Sequence, residues 1–466
     1  MAVSDTIPRD EASNGGGRTM GLWSCIALVI GNMIGSGVFM LPSVLAGYGA
    51  MTLWGWAGSL AAALSLAAVF ARLSAIIPGA GGPHVYTREA YGDFAGYLCA
   101  WCYWKAAWIG NAAIVVTVVG YFTVFFPALA HPVAGASLAL GLLWLLTFIN
   151  LGGIGIFSLV QNAFTVLKLI PLLLIAVCGW FFFNADNFAV PVYGRNIPET
   201  SWLGAVSSLT ALTMWSFVGL ESATVPAGNV KDPQKTIPRA TMIGTLVAGA
   251  FYVTVVTAVL GMLPARTLTA STAPIADAAR LIVGDWGYYL ISAGAIVAAI
   301  GALNGWVMMQ GQVPMAAARD GLLPEALGKV NKHGVPGVAL VISSALVSLL
   351  VLLNFRHGLV GAFHIIILIG TMTTLVPYLL CAAGLMQLMV DRRGQFPAGL
   401  LALVLIASVA FVFSIWALYG SGMEAVFWGF LVLVSGIPIY TWRKWRTKVE
   451  AARADPFLPA PSAVKR

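Results

Sequence analysis

Long apolar runs recur along the whole of this chain, near 22–47, 51–77, 95–126, 133–152, 158–183, 202–226, 240–264, 286–317, 336–354, 362–388, 397–419 and 423–442. Each is close to or above the ~20 residues that a helix needs to cross a ~30 Å hydrocarbon layer. Lipid offers no partner to backbone N–H and C=O groups, so only helices and closed barrels span it. Barrel strands alternate apolar and polar residues over about ten positions, and these unbroken runs do not. The sequence therefore predicts an all-α polytopic membrane protein with twelve transmembrane helices. Composition points the same way: 59% of the 466 residues are hydrophobic and 9% are charged, against roughly 25% charged in a soluble domain. A soluble enzyme, a disordered scaffold and a nucleic-acid binder are excluded on that ground.

The basic residues orient the bundle. Residues 1–20 are polar and lack the pattern of a cleaved signal peptide, and 443–466 form a second polar tail. With both tails cytoplasmic, four of the 25 Lys and Arg (Arg195, Arg266, Arg280, Arg356) fall in outer loops and two (Lys105, Lys168) inside spans. The rest lie on the inner side, as the positive-inside rule requires. The expected location is the cytoplasmic (inner) membrane, and the net charge of +8 reads as orientation, not as a nucleic-acid partner. The five cysteines lie in apolar stretches and read as small buried hydrophobes.

Two spans carry interruptions. The first contains Gly31-Asn32-Met33-Ile34-Gly35-Ser36-Gly37, and the sixth contains Trp215-Ser216-Phe217-Val218-Gly219-Leu220-Glu221-Ser222. Glycines at such positions weaken a helix by roughly 1 kcal/mol each and free backbone polar groups. Taken alone, the small residues fit close helix packing equally well. The two spans are, however, corresponding members of two five-span halves, 21–200 (spans one to five) and 201–390 (spans six to ten), followed by a terminal pair at 391–442. Discontinuous helices at equivalent places in two inverted repeats point to a transporter's binding site.

At these residues the chain resembles the amino acid–polyamine–organocation transporters, most of all the bacterial arginine/agmatine and putrescine/ornithine antiporters. The motifs are GNMIGSGVFMLP (31–42), PGAGGPHVYTREAYG (78–92), YWKAAWIGN (103–111), MWSFVGLESATVPAGNVKDPQKTIPRA (214–240), GALNGWVMMQGQVPMAAARDGLLP (301–324) and TLVPYL (374–379), in family order. The resemblance implies a 5+5 inverted-repeat, leucine-transporter-like core plus two peripheral helices, with alternating access around a midplane site. It implies substrate-binding roles for Asn32, Ile34, Ser36, Gly37, Ala107, Asn111, Trp215, Val218, Gly219, Trp306 and Gly370. Within that set, the amides of Ser36 and Gly37 would hold a carboxylate, as half-helix N-termini attract anions, and carbonyls near Val218 and Gly219 would take an amine. Tyr103, Trp215, Glu221 and Tyr378 would gate, and Glu221 and Lys168 would couple transport to protons. By analogy with similar proteins a homodimer is expected; neither cofactor nor metal is expected.

Substrate remains divided between two readings. Overall similarity favours cationic amino acids and amines. Ala107 and Gly370 stand where the arginine/agmatine antiporters carry Cys and Ser, which thins the polar lining and favours a neutral or small substrate. Lys168 pulls the same way. It lies about ten residues, hence ~15 Å, into the fifth span, where an ammonium needs a cavity or partner oxygens. It matches the fifth-span Lys of the proton-coupled and neutral-amino-acid branches. Lys105 reads differently, on a stripe with Trp101 and Trp108 that suits snorkelling over indole rings. An intramembrane enzyme would need paired Asp, a Ser/His set or a metal motif within the spans, and a channel would need a filter of carbonyls or charged rings; the spans carry neither. Lys168→Ala is expected to abolish transport while expression stays at the wild-type level, measured by uptake into vesicles against membrane abundance; full activity would remove Lys168 from the mechanism.

Overall fold

The computed structural model describes residues 20–79, 81–153, 172–189, 201–354, 358–392 and 400–454. Residues 1–19, the end of the C-terminal tail (455–466), most of the fifth stretch and Lys168 lie outside these, whereas 443–454, expected as tail, continue the helix α18. Among the described residues every regular element is a helix. In chain order they are α1 (Leu22–Met33), α2 (Ser36–Leu45), α3 (Thr52–Ile76), α4 (Pro83–Tyr91), α5 (Asp93–Phe122), α6 (Pro132–Leu151), α7 (Leu172–Phe182), α8 (Ala185–Ala189), α9 (Trp202–Met214), α10 (Pro233–Met262), α11 (Ala265–Ala270), α12 (Pro274–Arg319), α13 (Glu325–Gly328), α14 (Gly337–Asn354), α15 (Gly358–Asp391), α16 (Leu400–Gly420), α17 (Met423–Val434) and α18 (Ile437–Ala454). Eight described stretches are long and apolar enough to cross a membrane, with shorter apolar helices at α7 and in α14. The chain is a multi-pass membrane protein.

Burial sorts the bundle into a centre and a rim. The most apolar window of the stretch from α1 to α3 is 83% buried, as is that of α5, whereas those of α16 and of α17 with the start of α18 are 22% and 17% buried. Leu401, Leu405, Val412, Phe427 and Trp428 on α16 and α17 face outward, which is stable only against hydrocarbon. The central helix is α5. It packs along α12 and α15, and its middle (Ala106, Ala107, Gly110, Ala112, Ala113) is built of small residues that let backbones approach.

Both expected interruptions are present. Helix one stops at Met33 and restarts at Ser36, with Ile34 and Gly35 outside helical geometry. After α9 the chain makes one 3-10 turn at Trp215–Phe217, then leaves helical geometry at Val218 and Gly219. Gly219 has φ +105°, a conformation that side chains resist. The two interruptions touch: a Cβ on Gly37 would stand 2.6 Å from Ser216 Oγ and 3.3 Å from Ser216 Cα. Only glycine allows that approach.

Two connections between the apolar runs are helical. Residues 78–92 contain α4, which starts with Pro83 at its first turn and ends at Gly92, the end-signals of a short helix. The connection before the eighth span contains α11 and the start of α12, which bends at Val283 and Gly284 and puts Arg280 in a helix. At one end of the bundle, polar contacts join α4, α5, α13, α18 and the end of α12: His84 to Asp320 (3.0 Å), and the ion pairs Arg88–Asp93 (2.9 Å), Lys444–Asp93 (2.7 Å) and Arg443–Glu325 (3.0 Å). Lys105 lies with its Nζ 4.1, 4.7 and 5.6 Å from the ring centroids of Trp101, Trp104 and Trp108, the indole cradle its stripe predicts.

The close approach at Gly37 gives a stability test. Gly37→Ala is expected to lower the thermal midpoint in detergent by an amount equivalent to about 1–3 kcal/mol of overpacking. Adding Ser216→Gly should recover part of the loss, because it removes the atom that the new methyl meets.

Candidate functional site

A small cavity lies where the two interruptions, α5 and α12 meet. Its walls are Asn32, Met33, Gly35, Ser36, Gly37, Ala106, Gly110, Ile114, Trp215, Val218 and Trp306. The water-accessible volume is about 20 Å³, room for a water molecule or so. An amino acid would have to part the walls.

The polar groups around it come from helix ends. The first amides of α2 have no partner within their own helix, and no side chain caps that end at Gly35. They carry the positive end of the helix dipole toward the cavity. The opposing end of α1 presents carbonyls, of which Asn32 O accepts from Trp306 Nε1 at 3.0 Å. Asn32 Nδ2 crosses to the other interruption and donates to Ser222 Oγ at 2.9 Å. Trp215 Nε1 makes the return link, donating to Ser36 Oγ at 3.1 Å. The Trp215 ring rests on two glycines: a Cβ on Gly110 would lie 3.3 Å from it and one on Gly370 2.8 Å. The Trp306 ring lies against Gly219, whose Cβ would meet it at 3.1 Å. Two indoles thus cover the cavity from the α9 and α12 sides.

A second cluster lies beside it. Glu221 is fully buried and accepts from Tyr103 Oη at 2.6 Å. Tyr378 Oη donates to the other carboxyl oxygen and accepts from Gly219 N–H at 3.3 Å. The three residues expected to gate together with Trp215 therefore meet, from α5, α15 and the segment after α9. A buried carboxyl needs such donors, because a buried polar group left without a partner costs about 1–3 kcal/mol.

Not every expected substrate contact faces the cavity. Asn32, Ser36, Gly37, Trp215, Val218 and Trp306 line it; Ile34, Ala107, Asn111, Gly219 and Gly370 do not. Gly370 underlies the Trp215 ring, and the Gly219 carbonyl accepts from Ser222 N–H at 3.0 Å. Asn111 is turned away, donating from Nδ2 to Gln310 Oε1 at 2.8 Å. The α5 wall is instead Ala106, Gly110 and Ile114, at helical spacing and one step round the helix from Ala107 and Asn111. Sequence reasoning missed Ser216, Ser222 and Gln310. Gln310 carried a usable signal, an amide deep in an apolar span, which demands a partner.

Tyr103→Phe is expected to lower the thermal midpoint, by the equivalent of roughly 1–3 kcal/mol, since it strips one of two tyrosine donors from Glu221. Thermal unfolding in detergent reads the loss, and an unchanged midpoint would show that the Tyr103 hydrogen bond contributes nothing.

The comparisons with known proteins agree with this architecture. The chain is 37% identical to a cadaverine/lysine antiporter of Escherichia coli K12, over 79% of this chain and 84% of that protein. It is 29% identical to putrescine transporters of Haemophilus influenzae and Escherichia coli, over 90% of this chain and 96% and 95% of theirs. The family model described as amino acid permease matches residues 20–443, the whole bundle from α1 into α18. This chain belongs to the amino acid permease family of membrane transporters.

Proposed function

We propose that this chain exchanges a basic amino acid for an amine derivative across the inner membrane, by alternating access and with both termini cytoplasmic. The observation that carries the reading is the meeting of two interrupted helices around one cavity. That arrangement supplies anion-attracting amides and cation-attracting carbonyls within one amino acid's length. The substrate carboxylate binds at the Ser36 and Gly37 amides, and the α-amine at the carbonyls of Asn32, Ile34 and Val218. Trp215 and Trp306 cover it, while Ala107, Asn111, Gly219 and Gly370 shape the space beside them. Tyr103, Glu221 and Tyr378 form a gate, and Glu221 with Lys168 couples the cycle to protons. The bundle is read as twelve crossings, two five-helix inverted repeats (21–200 and 201–390) and a peripheral pair (391–442), arranged as a homodimer.

The relatives named for cadaverine, lysine and putrescine favour a basic substrate. Lys168 and the small residues Ala107 and Gly370 favour a second reading, exchange of neutral amino acids, because a fixed ammonium repels a dication. Counterflow into proteoliposomes decides. Saturable entry of labelled lysine, driven by unlabelled internal lysine or cadaverine, is the expected result. Entry of neutral amino acids alone selects the second reading. Unsaturated flux, or none of either class, overturns exchange altogether.

A further inference from the structure

The last apolar span runs from Met423 through α17 into α18 and ends at Thr447, but the helix itself continues to Ala454. Residues 442–446, Trp-Arg-Lys-Trp-Arg, therefore stand where it leaves the hydrocarbon. At about 100° per residue they divide between two sides of α18. Arg443 and Lys444 fall on the side of Tyr440 and face the bundle. Lys444 Nζ reaches Asp93 at 2.7 Å, Arg443 reaches Glu325 at 3.0 Å, and the Tyr440 ring packs 4.9 Å from that of Tyr97. Trp442, Trp445 and Arg446 fall on the other side and are exposed, Trp445 to 62%. The Arg446 guanidinium stands 5.7 Å from the Trp442 ring centroid.

That outward side suits neither hydrocarbon nor open water. The first expels an arginine head, and two exposed indoles on one face are unfavourable in the second. Indoles keep their apolar body in oil and their N–H among polar groups, so beside a guanidinium they fit the headgroup layer. The charge then selects the headgroup. From 437 to 454 five Lys and Arg stand against one Glu, and a basic run immediately beyond a span attracts anionic lipid. A guanidinium can also meet a phosphate with two parallel N–H···O bonds.

We infer that the outward side of α18 is a docking site for an anionic phospholipid of the inner leaflet, with the headgroup phosphate on Arg446 and the glycerol region against Trp442 and Trp445. The inward side gives the site its consequence. The same turns hold Asp93 at the start of α5 and Glu325 on α13, so a headgroup that fixes α18 steadies both ion pairs and the end of α5 with them. None of this depends on what the cavity carries; the orientation proposed above decides only which leaflet supplies the lipid.

Native mass spectrometry of the full chain, released from mixed micelles holding equal amounts of phosphatidylglycerol and phosphatidylcholine, counts the lipid retained. The wild type should keep phosphatidylglycerol in preference. Arg446→Gln is expected to lower that preference about fivefold, the equivalent of the ~1 kcal/mol that one basic residue contributes near an anionic surface. Arg446→Lys should recover most of it, and Lys444→Gln, which changes the inward side, should lower it by less. Phosphatidylglycerol should also raise the thermal midpoint of the wild type but not that of Arg446→Gln. One measurement needs no variant: raising ammonium acetate from about 0.1 M to about 0.5 M should reduce the wild-type preference, because salt screens exposed charge. Equal retention of the two lipids, a preference untouched by Arg446→Gln or by salt, a loss as large in Lys444→Gln, or a wild-type midpoint that phosphatidylglycerol leaves unmoved overturns the proposal. So does efficient crosslinking of Trp445→Cys to a second copy of the chain in native membranes, which would put protein and not lipid on this face.

Discussion

Two helices of this bundle abandon their own hydrogen bonding partway along, and hydrocarbon gives nothing in return. The rest of the centre is arranged around that debt. Asn32 at the end of α1 reaches Ser222 beyond the other interruption; Trp215 reaches back to Ser36 at the start of α2; Trp306 covers the Asn32 carbonyl; Tyr378 takes the Gly219 amide. Each interruption is thus answered by side chains from the other, or from α12 and α15. The small middle of α5 and the bare Gly37 let these groups come close enough to reach.

The same contacts explain why the cavity is so small. Its walls are pulled together by single hydrogen bonds, mostly between neutral groups, each contributing about 0.5–1.5 kcal/mol net. A ligand that supplies a carboxylate to the α2 amides and donors to the α1 carbonyls replaces what it displaces. Opening therefore exchanges one set of polar contacts for another, which is how a ligand shifts a protein between two states of similar energy. The carboxyl cluster is on a different footing. Glu221 is held from both sides by tyrosines of two helices, so separating α5 from α15 strips a carboxyl of its donors, a far larger penalty than breaking one indole contact.

Much of the fold was legible because the bilayer makes sequence speak plainly: apolar length gives helices, and small residues in corresponding spans give the interruptions. The helices hidden in 78–92 and before the eighth span escaped because their signals are end-signals, Pro83, Gly92 and Gly284, and not apolar length. At the candidate site, residue types were readable and facing was not. Asn111, a polar residue deep in an apolar span, is paired, but with Gln310 on another helix. Helical spacing gives the residues that share a stripe, whereas one step around α5 decides between the cavity and α12. That step is set by packing between helices distant in sequence.

The outermost helices have a tighter hold on the centre than their exposure suggests. Where α17 gives way to α18, Val432 O accepts from Trp101 Nε1 at 2.8 Å and Gly436 O from Tyr97 Oη at 2.6 Å. Both donors belong to α5, the helix that carries Tyr103, Gly110 and Asn111. A chain cut after Gly420 would strand an indole and a phenol in oil and loosen the tilt of the helix they moor. The rim pair behaves less like an appendage than like a stay on a mast, contributing no wall to the cavity yet setting the attitude of the helix that does.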